Sequence, residues 1–347
     1  MNLSLILLSI IHKLDGERTI YAGFHLLRGK RSGQTLQDVE YYGLKAFFGI
    51  LPKLTVDQFN EAATLLKNSG FIATRDDSFV NITEQGRQLV ATLPAYAFNG
   101  WDYRGRENLF FARLSLIVQT VSHFKEGQHA FMPVQKDYDS QSFVKTLLHH
   151  QPISDPAYAR YIAEELRLCI ERSGMDNEQK IIVSHRLSGF GLTGWTWDQL
   201  AEYLKLNSFA VRLLFIEGLH RMLAVIEQSS DLSFLRKIAD NVKVTTYLTD
   251  SSSKTKLLFD RGMSIEDIAA ARNLKLSTIE DHFVELSIND PQFPLTQFVA
   301  EADVEAVVAK VDELETRRLR LLKAEFASLS YFQLRLILGA RTGGDSS

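Results

Sequence analysis

Apolar side chains recur every three to four residues along most of the chain, the spacing that places them on one face of an α-helix. Strict alternation of apolar and polar residues, which is typical of strands, is confined to two short segments, residues 71–74 and 79–82. Glycines and capping residues divide the helical pattern into short elements. The pattern therefore predicts a mainly α protein built from several helix-turn-helix modules, with one small β-hairpin.

The first module is predicted at residues 54–90, where the element order is that of a winged helix. A helical run ends at Gly70, because glycine readily adopts the left-handed conformation that terminates a helix. The two alternating segments follow as a hairpin, and Thr83 is placed to cap a closing helix. We expect residues 1–98 to form an N-terminal domain that contains this winged module.

A loop between two apolar helices of the N-terminal domain carries the densest basic cluster of that domain: Arg28, Lys30 and Arg31. Backbone amides and three cations that converge in one loop can bind a phosphate. These three residues are therefore candidate nucleic-acid contacts. A solvated loop between helices is the simpler alternative.

The second module is predicted in a central domain, residues 99–235, and its layout resembles the fourth region of sigma factors. Thr196 and Gln199 are spaced as a capping box, which would begin its first helix. A turn precedes Ser208, which starts a long second helix. That helix is apolar around most of its circumference, a pattern typical of a helix that is buried or covered by another protein.

This second module has a basic charge balance. Residues 180–223 carry five basic and three acidic side chains. If the chain contacts DNA directly, Lys205 and Arg212 are therefore the best candidates in this domain.

The third module is predicted at residues 245–300. Ser264 can cap its first helix, and Ser277 with Glu280 has the spacing of a capping box that would begin the second helix. A C-terminal helical segment, residues 301–341, is predicted to follow, with apolar residues near heptad spacing.

The outward face of the second helix in the third module is predicted to carry Thr278, Asp281 and Glu285. In DNA-binding proteins this face enters the major groove. Here it has no lysine or arginine, and residues 254–299 carry five basic against seven acidic side chains. Phosphate binding requires the opposite balance. The three residues are therefore candidate contacts for a protein partner.

Two segments resemble a known family. Leu257–Ala269 (LLFDRGMSIEDIA), Arg272–Leu274 (RNL) and Ser277–His282 (STIEDH) are similar to the helicase-associated helix-turn-helix domain, which occurs at the C-termini of some RecQ-type helicases and in the YpbB-like proteins of Firmicutes. Phe24–Asp38 (FHLLRGKRSGQTLQD) resembles the N-terminal signature of the YpbB-like proteins. The resemblance implies a helicase accessory protein that is made separately from its ATPase.

Composition limits the remaining possibilities. The chain has 347 residues and a net charge of −3, so any contact with nucleic acid needs a local basic patch. Its one cysteine, Cys169, excludes an intramolecular disulfide and is expected to be a small buried hydrophobe. The apolar run Met1–Ile11 is shorter than the roughly 20 residues that span a bilayer. A cytoplasmic protein without membrane contact is expected.

Sequence motifs give no sign of an enzyme. The phosphate-binding G-x-x-x-x-G-K-[ST] motif is missing, as are H-E-x-x-H, G-x-S-x-G and paired C-x-x-C. The spacing G-x-G-x-x-G occurs at residues 189–194, but its flanks are helical and lack the parallel sheet of a dinucleotide fold. No catalytic, cofactor-binding or metal-binding residues and no small-molecule substrate are expected.

Two functions fit these observations. The first is a non-enzymatic adaptor that binds a RecQ-like helicase in DNA repair or replication. DNA, contacted directly or through the helicase, and a single-stranded DNA-binding protein are its further candidate partners. The alternative is a helix-turn-helix transcription regulator, which would dimerise through the helix predicted from Val304 to Leu322.

Overall fold

The computed structural model describes residues 2–14, 16–76, 79–244, 248–290, 292–314 and 318–344. Within these residues helices dominate, and the only sheet is a two-stranded hairpin. The predicted fold class is confirmed: the protein is mainly α, with helix-turn-helix modules.

The helices of the first half are short and separated by turns. They are α1 (Leu3–Leu14), α2 (Tyr21–Leu27), α3 (Gly33–Tyr41), α4 (Val56–Asn68), α5 (Glu84–Thr92), α6 (Gly100–Tyr103), α7 (Glu107–Lys125), α8 (Tyr138–Leu148) and α9 (Pro156–Arg172). The helices of the second half are α10 (Asn177–His185), α11 (Trp197–Leu204), α12 (Ser208–Gln228), α13 (Ser233–Ile238), α14 (Asp250–Phe259), α15 (Ile265–Arg272), α16 (Leu276–Asn289), α17 (Glu301–Leu314), α18 (Leu319–Glu325) and α19 (Tyr331–Gly344).

The hairpin lies between α4 and α5, as a winged helix requires. Its strands are β1 (Ile72–Asp76) and β2 (Phe79–Ile82), which pair antiparallel with Ile72 opposite Ile82. Gly70 has a φ of +73° at the end of α4, and the Thr83 hydroxyl accepts a hydrogen bond from the Gly86 amide at the start of α5. The predicted order of helix, hairpin and helix is confirmed. Two residues of the predicted hairpin tip, Asp77 and Ser78, lie outside the described residues.

The chain divides into two compact units, each made of separate segments. The central unit comprises residues 1–7, 49–65 and 91–244, and the terminal unit comprises residues 8–48, 66–90 and 245–347. This differs from the four consecutive domains expected at residues 1–98, 99–235, 245–300 and 301–341. Part of the N-terminal region shares a unit with the C-terminal region, because α3 packs against α16 and α19 and Tyr41 is buried in the same core as the last helices.

The core of the central unit is built on α7, α9, α10, α12 and α13. Its members include Phe110, Ile117, Ile182 and Leu219, which have no exposed surface. Cys169 is also fully buried in this cluster, as the sequence predicted.

In the terminal unit, α16 packs against α3, α14, α15 and α19. Phe283 and Val284 of α16 are fully buried in a cluster with Leu336 of α19. This makes α16 the central helix of the unit.

The C-terminal segment is helical, but the helix expected from Val304 to Leu322 is divided between two helices. It forms α17, α18 and α19, and both α17 and α18 pack against α19. The apolar residues Val307, Val311 and Leu322 are buried inside this unit. They are therefore unavailable for the dimer contact considered for a transcription regulator.

None of the helices among the described residues is long and apolar enough to cross a membrane. The described residues also hold no group of three or more His, Cys, Asp or Glu side chains that could bind a metal ion.

Candidate functional site

The third module forms a helix-turn-helix from α15 and α16. The Ser264 hydroxyl accepts a hydrogen bond from the Asp267 amide at 3.1 Å, so the predicted cap of α15 is confirmed. Asn273 ends α15 in a left-handed conformation with a φ of 51°. The predicted capping box of Ser277 and Glu280 is wrong, because α16 begins at Leu276 with Lys275 as its N-cap. Ser277 therefore lies inside the first turn.

The second helix of this module has no free face in its second half. Every residue from His282 to Ile288 is buried, because α3, α14, α15 and α19 pack around α16. A recognition helix must present one side to the major groove. The expectation of an outward face along this helix is therefore correct for its first turns alone.

Glu285 is one of the buried residues, with 4% of its surface exposed. Its carboxylate accepts hydrogen bonds from the Thr249 amide at 2.5 Å and from the Ser252 hydroxyl at 2.6 Å. An anion at the start of α14 is favourable, because the amides there are unpaired and the helix dipole is positive. The expectation that Glu285 points outward to a partner is therefore wrong.

The structure brings two of the predicted sites together at this carboxylate. Arg31 of the basic loop lies 4.0 Å from Glu285, measured from Nη2 to Oε1. Arg31 was predicted as a nucleic-acid contact and Glu285 as a partner contact. The structure shows that these two side chains are neighbours.

Asp281 and Thr278 lie on the part of α16 that remains accessible. Half of the Asp281 side chain is exposed, and its carboxylate accepts a hydrogen bond from Arg335 of α19 at 2.6 Å. Thr278 is partly exposed. These two residues remain candidates for partner contact, whereas Glu285 does not.

The other two cations of the basic loop are exposed. Arg28 caps the end of α2 and lies over the Phe24 ring, and Lys30 follows it in the loop. Burial, and then the charges of Lys30 and Arg28, lower the pKa of His25 below its usual 6.5. The loop therefore has a positive local field, and nucleic-acid contact through it stays a prediction.

The central unit contains the second helix-turn-helix, formed by α11 and α12. Thr196 and Gln199 make the predicted capping box at the start of α11. Lys205 ends α11 with a φ of 55°, and both Lys205 and Arg212 are exposed. Most of α12 is buried, from Ala210 to Ile226, as its apolar composition predicted.

An aromatic cluster that was not predicted from the sequence lies beside Lys205 and Arg212. The rings of Trp195 and Tyr203 are 5.3 Å apart, and the His185 ring is 4.4 Å from Trp195. Arg186 lies over the Trp197 ring at 4.2 Å from its centroid, and Arg212 lies at 5.2 Å from the same centroid. These aromatic and basic side chains therefore lie beside one another on the module.

Comparison with known proteins agrees with the resemblance seen in the sequence. Residues 251–338, which include α15, α16 and most of α19, match a family described as a helix-turn-helix domain. The chain is 28% identical to "Protein YpbB" of Bacillus subtilis (strain 168) over 342 residues, which cover 96% of both proteins. The resemblance to the YpbB-like proteins is confirmed. No solved structure matches the chain.

The alignment with YpbB covers most of both units. One sequence signal could have located the aromatic cluster. Two of the three tryptophans of the chain, Trp195 and Trp197, stand two residues apart. They flank the capping residue Thr196, where side chains are usually accessible.

Proposed function

We propose that this chain is a non-enzymatic adaptor that binds a RecQ-like DNA helicase and supports DNA repair or replication. One observation carries the proposal: the second helix of the C-terminal helix-turn-helix is buried from His282 to Ile288, and its accessible part, residues 276–281, carries Glu280 and Asp281 but no cation. An acidic face of this kind is unsuited to the phosphates that border a major groove. The exposed remainder of the module is then free to contact another protein.

The identity of the partner rests on the sequence. Residues 257–282 resemble the helicase-associated helix-turn-helix domain, and the chain lacks the phosphate-binding motif that a helicase motor needs. A protein with the accessory domain but without the motor is suited to work beside a separate ATPase.

The exposed surface of the module has the chemistry for docking on a basic protein surface. Glu266 and Asp267 are exposed in the first turn of α15, and Asp281 is half exposed on α16. Leu257 and Leu276 expose 53% and 44% of their surface. Acidic groups around exposed leucines would orient a basic partner and speed its association.

The proposal is tested with purified chain and the RecQ-like helicase of the same cell. Light scattering at micromolar concentrations and moderate salt should detect a complex. The double variant Glu266→Lys with Asp281→Lys should weaken that complex by about tenfold or more, because each change places a cation against a basic partner. Glu305→Lys is the matched control, since Glu305 is an exposed carboxylate on α17 of the same unit. Absence of any complex with the unmodified chain would contradict the proposal.

The transcription regulator is a weaker candidate. Both helix-turn-helix modules bury most of their second helix, and three of the apolar residues of the segment proposed for dimerisation, Val307, Val311 and Leu322, lie in the core of the terminal unit. Sequence-selective binding of duplex DNA by the chain alone would favour the regulator over the adaptor.

A further inference from the structure

We propose that the aromatic and basic surface of the central helix-turn-helix binds single-stranded nucleic acid, with bases stacked on Tyr203 and Trp195 and phosphates held by Arg186, Lys205 and Arg212. This inference does not depend on a helicase partner. It concerns a surface of the central unit, which the chain presents by itself.

Exposed rings are the first reason. Tyr203 exposes 60% of its surface, and Trp195 and Trp197 are each partly exposed. Tyr203 is nearly parallel to the exposed His185 ring, with an angle of 24° and a centroid distance of 6.5 Å. Keeping large rings at the surface costs hydrophobic stabilisation, and accessible rings are what unpaired bases stack on.

The arrangement of the cations is the second reason. The guanidinium groups of Arg186 and Arg212 both lie within 5.2 Å of the centre of the Trp197 ring, and Lys205 lies two residues beyond Tyr203. The Arg186 guanidinium is fixed in place, because its Nη1 donates a hydrogen bond to the Trp195 carbonyl at 2.6 Å. Burial, and then the charge of Arg212, lower the pKa of Arg186. The two guanidinium groups therefore repel one another, and a bound anion would relieve that repulsion.

Some arginines of the central unit are neutralised by ion pairs. Arg172 pairs with Asp231 at 2.7 Å, and Arg221 pairs with Glu217 at 3.5 Å. Within the described part of the chain, by contrast, Arg186, Lys205 and Arg212 form no ion pair with a carboxylate.

The carboxylates of the same module reduce the positive field but do not cancel it. Asp198 and Glu202 are exposed on α11, and Asp198 accepts a hydrogen bond from the Ser208 hydroxyl at 2.6 Å. Three cations therefore face two carboxylates. Because the positive field is weak, phosphate contacts alone would hold duplex DNA poorly. A single strand also gains energy from stacking of its bases, so this surface favours a single strand.

The test uses the full chain without helicase and three labelled probes: oligo-dT, oligo-rU and a DNA duplex of equal length. Fluorescence anisotropy at low salt measures binding. Quenching of tryptophan fluorescence reports ligand bound near Trp195 and the neighbouring Trp197, since the remaining tryptophan, Trp101, is only 5% exposed. We expect oligo-dT or oligo-rU to bind more tightly than the duplex and to quench the fluorescence. Which of the two single strands binds better identifies DNA or RNA as the natural ligand.

Two variants and two matched controls complete the experiment. Tyr203→Ala should weaken single-strand binding roughly tenfold, the usual loss for one stacked base. Arg212→Ala should weaken binding and reduce the salt dependence by about 0.7 in log–log slope, as for one lost phosphate contact. Tyr138→Ala and Arg160→Ala, which change exposed residues elsewhere in the unit, should bind like the unmodified chain.

The proposal is overturned if single strands do not bind at micromolar concentration, if the duplex binds at least as tightly, or if Tyr203→Ala behaves like Tyr138→Ala. None of these results bears on association with a helicase, so failure here and failure of the adaptor proposal are distinguishable.

Discussion

The Glu285 carboxylate accepts a hydrogen bond from the Ser252 hydroxyl at 2.6 Å, and both residues are buried. A side chain of the second helix in the C-terminal helix-turn-helix thereby holds the first turn of α14. This acidic residue is a structural part of the terminal unit, although its position in the sequence suggested a surface contact.

We predict that Glu285→Ala lowers the free energy of unfolding by about 2–3 kcal/mol, because the Thr249 amide and the buried Ser252 hydroxyl would lose their acceptor. Urea denaturation followed by circular dichroism measures the loss. Glu266→Ala, at an exposed position on α15, should stay within about 0.5 kcal/mol of the unmodified chain. Equal stabilities of the two variants would show that Glu285 does not cap α14.

A second prediction concerns the close packing of α19 on α16. A Cβ atom at Gly339 would lie 2.4 Å from the Ser287 hydroxyl oxygen and 3.1 Å from Ile288 Cγ1. Alanine usually stabilises a helix relative to glycine, but Gly339→Ala should destabilise this protein by about 1–3 kcal/mol because the site is overpacked.

The double variant Gly339→Ala with Ser287→Ala separates steric overlap from other effects. Removing the Ser287 hydroxyl takes away the closest contact, so the double variant should recover part of the lost stability. A thermal melt of the two single variants and the double variant gives the coupling between the sites. Strictly additive losses would contradict a direct clash.

A third prediction concerns pH and His282. This residue is buried, and its Nδ1 lies 2.8 Å from Thr255 Oγ1 and 3.3 Å from Arg272 Nη1. Burial, and then the Arg272 charge, lower the pKa of His282 below its usual 6.5. The unfolded chain therefore binds a proton near pH 6.5 that the folded chain does not, so stability decreases as the pH falls below about 6.5 and is unaffected well above it.

His282→Gln should reduce this loss of stability in acid. The free energy of unfolding is measured at about pH 7.5 and about pH 5.5 for the variant and for the unmodified chain, and the change between the two pH values is compared. Other titrating groups contribute equally to both proteins. If both lose the same free energy between these pH values, the pKa of His282 is not lowered in the folded state.

A fourth prediction concerns Cys169. Its side chain is fully buried, its Sγ lies 3.7 Å from the Met222 carbonyl oxygen, and burial raises the pKa of the thiol to about 12. Because the thiolate is the reactive form, a thiol reagent should label the native protein very slowly near neutral pH. In urea one thiol per chain should react, so labelling would report the opening of the central unit. Rapid labelling under native conditions would contradict this.

Local structure was predictable to a large extent from particular residues. Ser264, Thr196 and Gly70 each act at the helix end that their chemistry indicated, since capping depends on atoms within a few residues. Ser277 shows the limit of such reasoning: its spacing to Glu280 fits a capping box, yet α16 begins at Leu276.

Accessibility at the candidate sites was much less predictable. Asp281 and Glu285 stand four residues apart on one side of the same helix, and the sequence treated them alike. The structure exposes half of the Asp281 side chain and buries Glu285 beneath α14. Helical periodicity defines the faces of a helix, but it does not say which distant segments cover them.

The residue pattern alone indicated that this protein is mainly helical, where several of its helices begin and end, and that it resembles the YpbB-like proteins. Those properties depend on local capping, periodicity and motifs. The packing of the helices was needed to show that α16 is covered by α3 and α19, that Arg31 approaches Glu285, and that Arg186 and Arg212 both lie near the Trp197 ring. These relationships join residues far apart in the chain or on separate helices, and their geometry follows from how apolar faces bury one another.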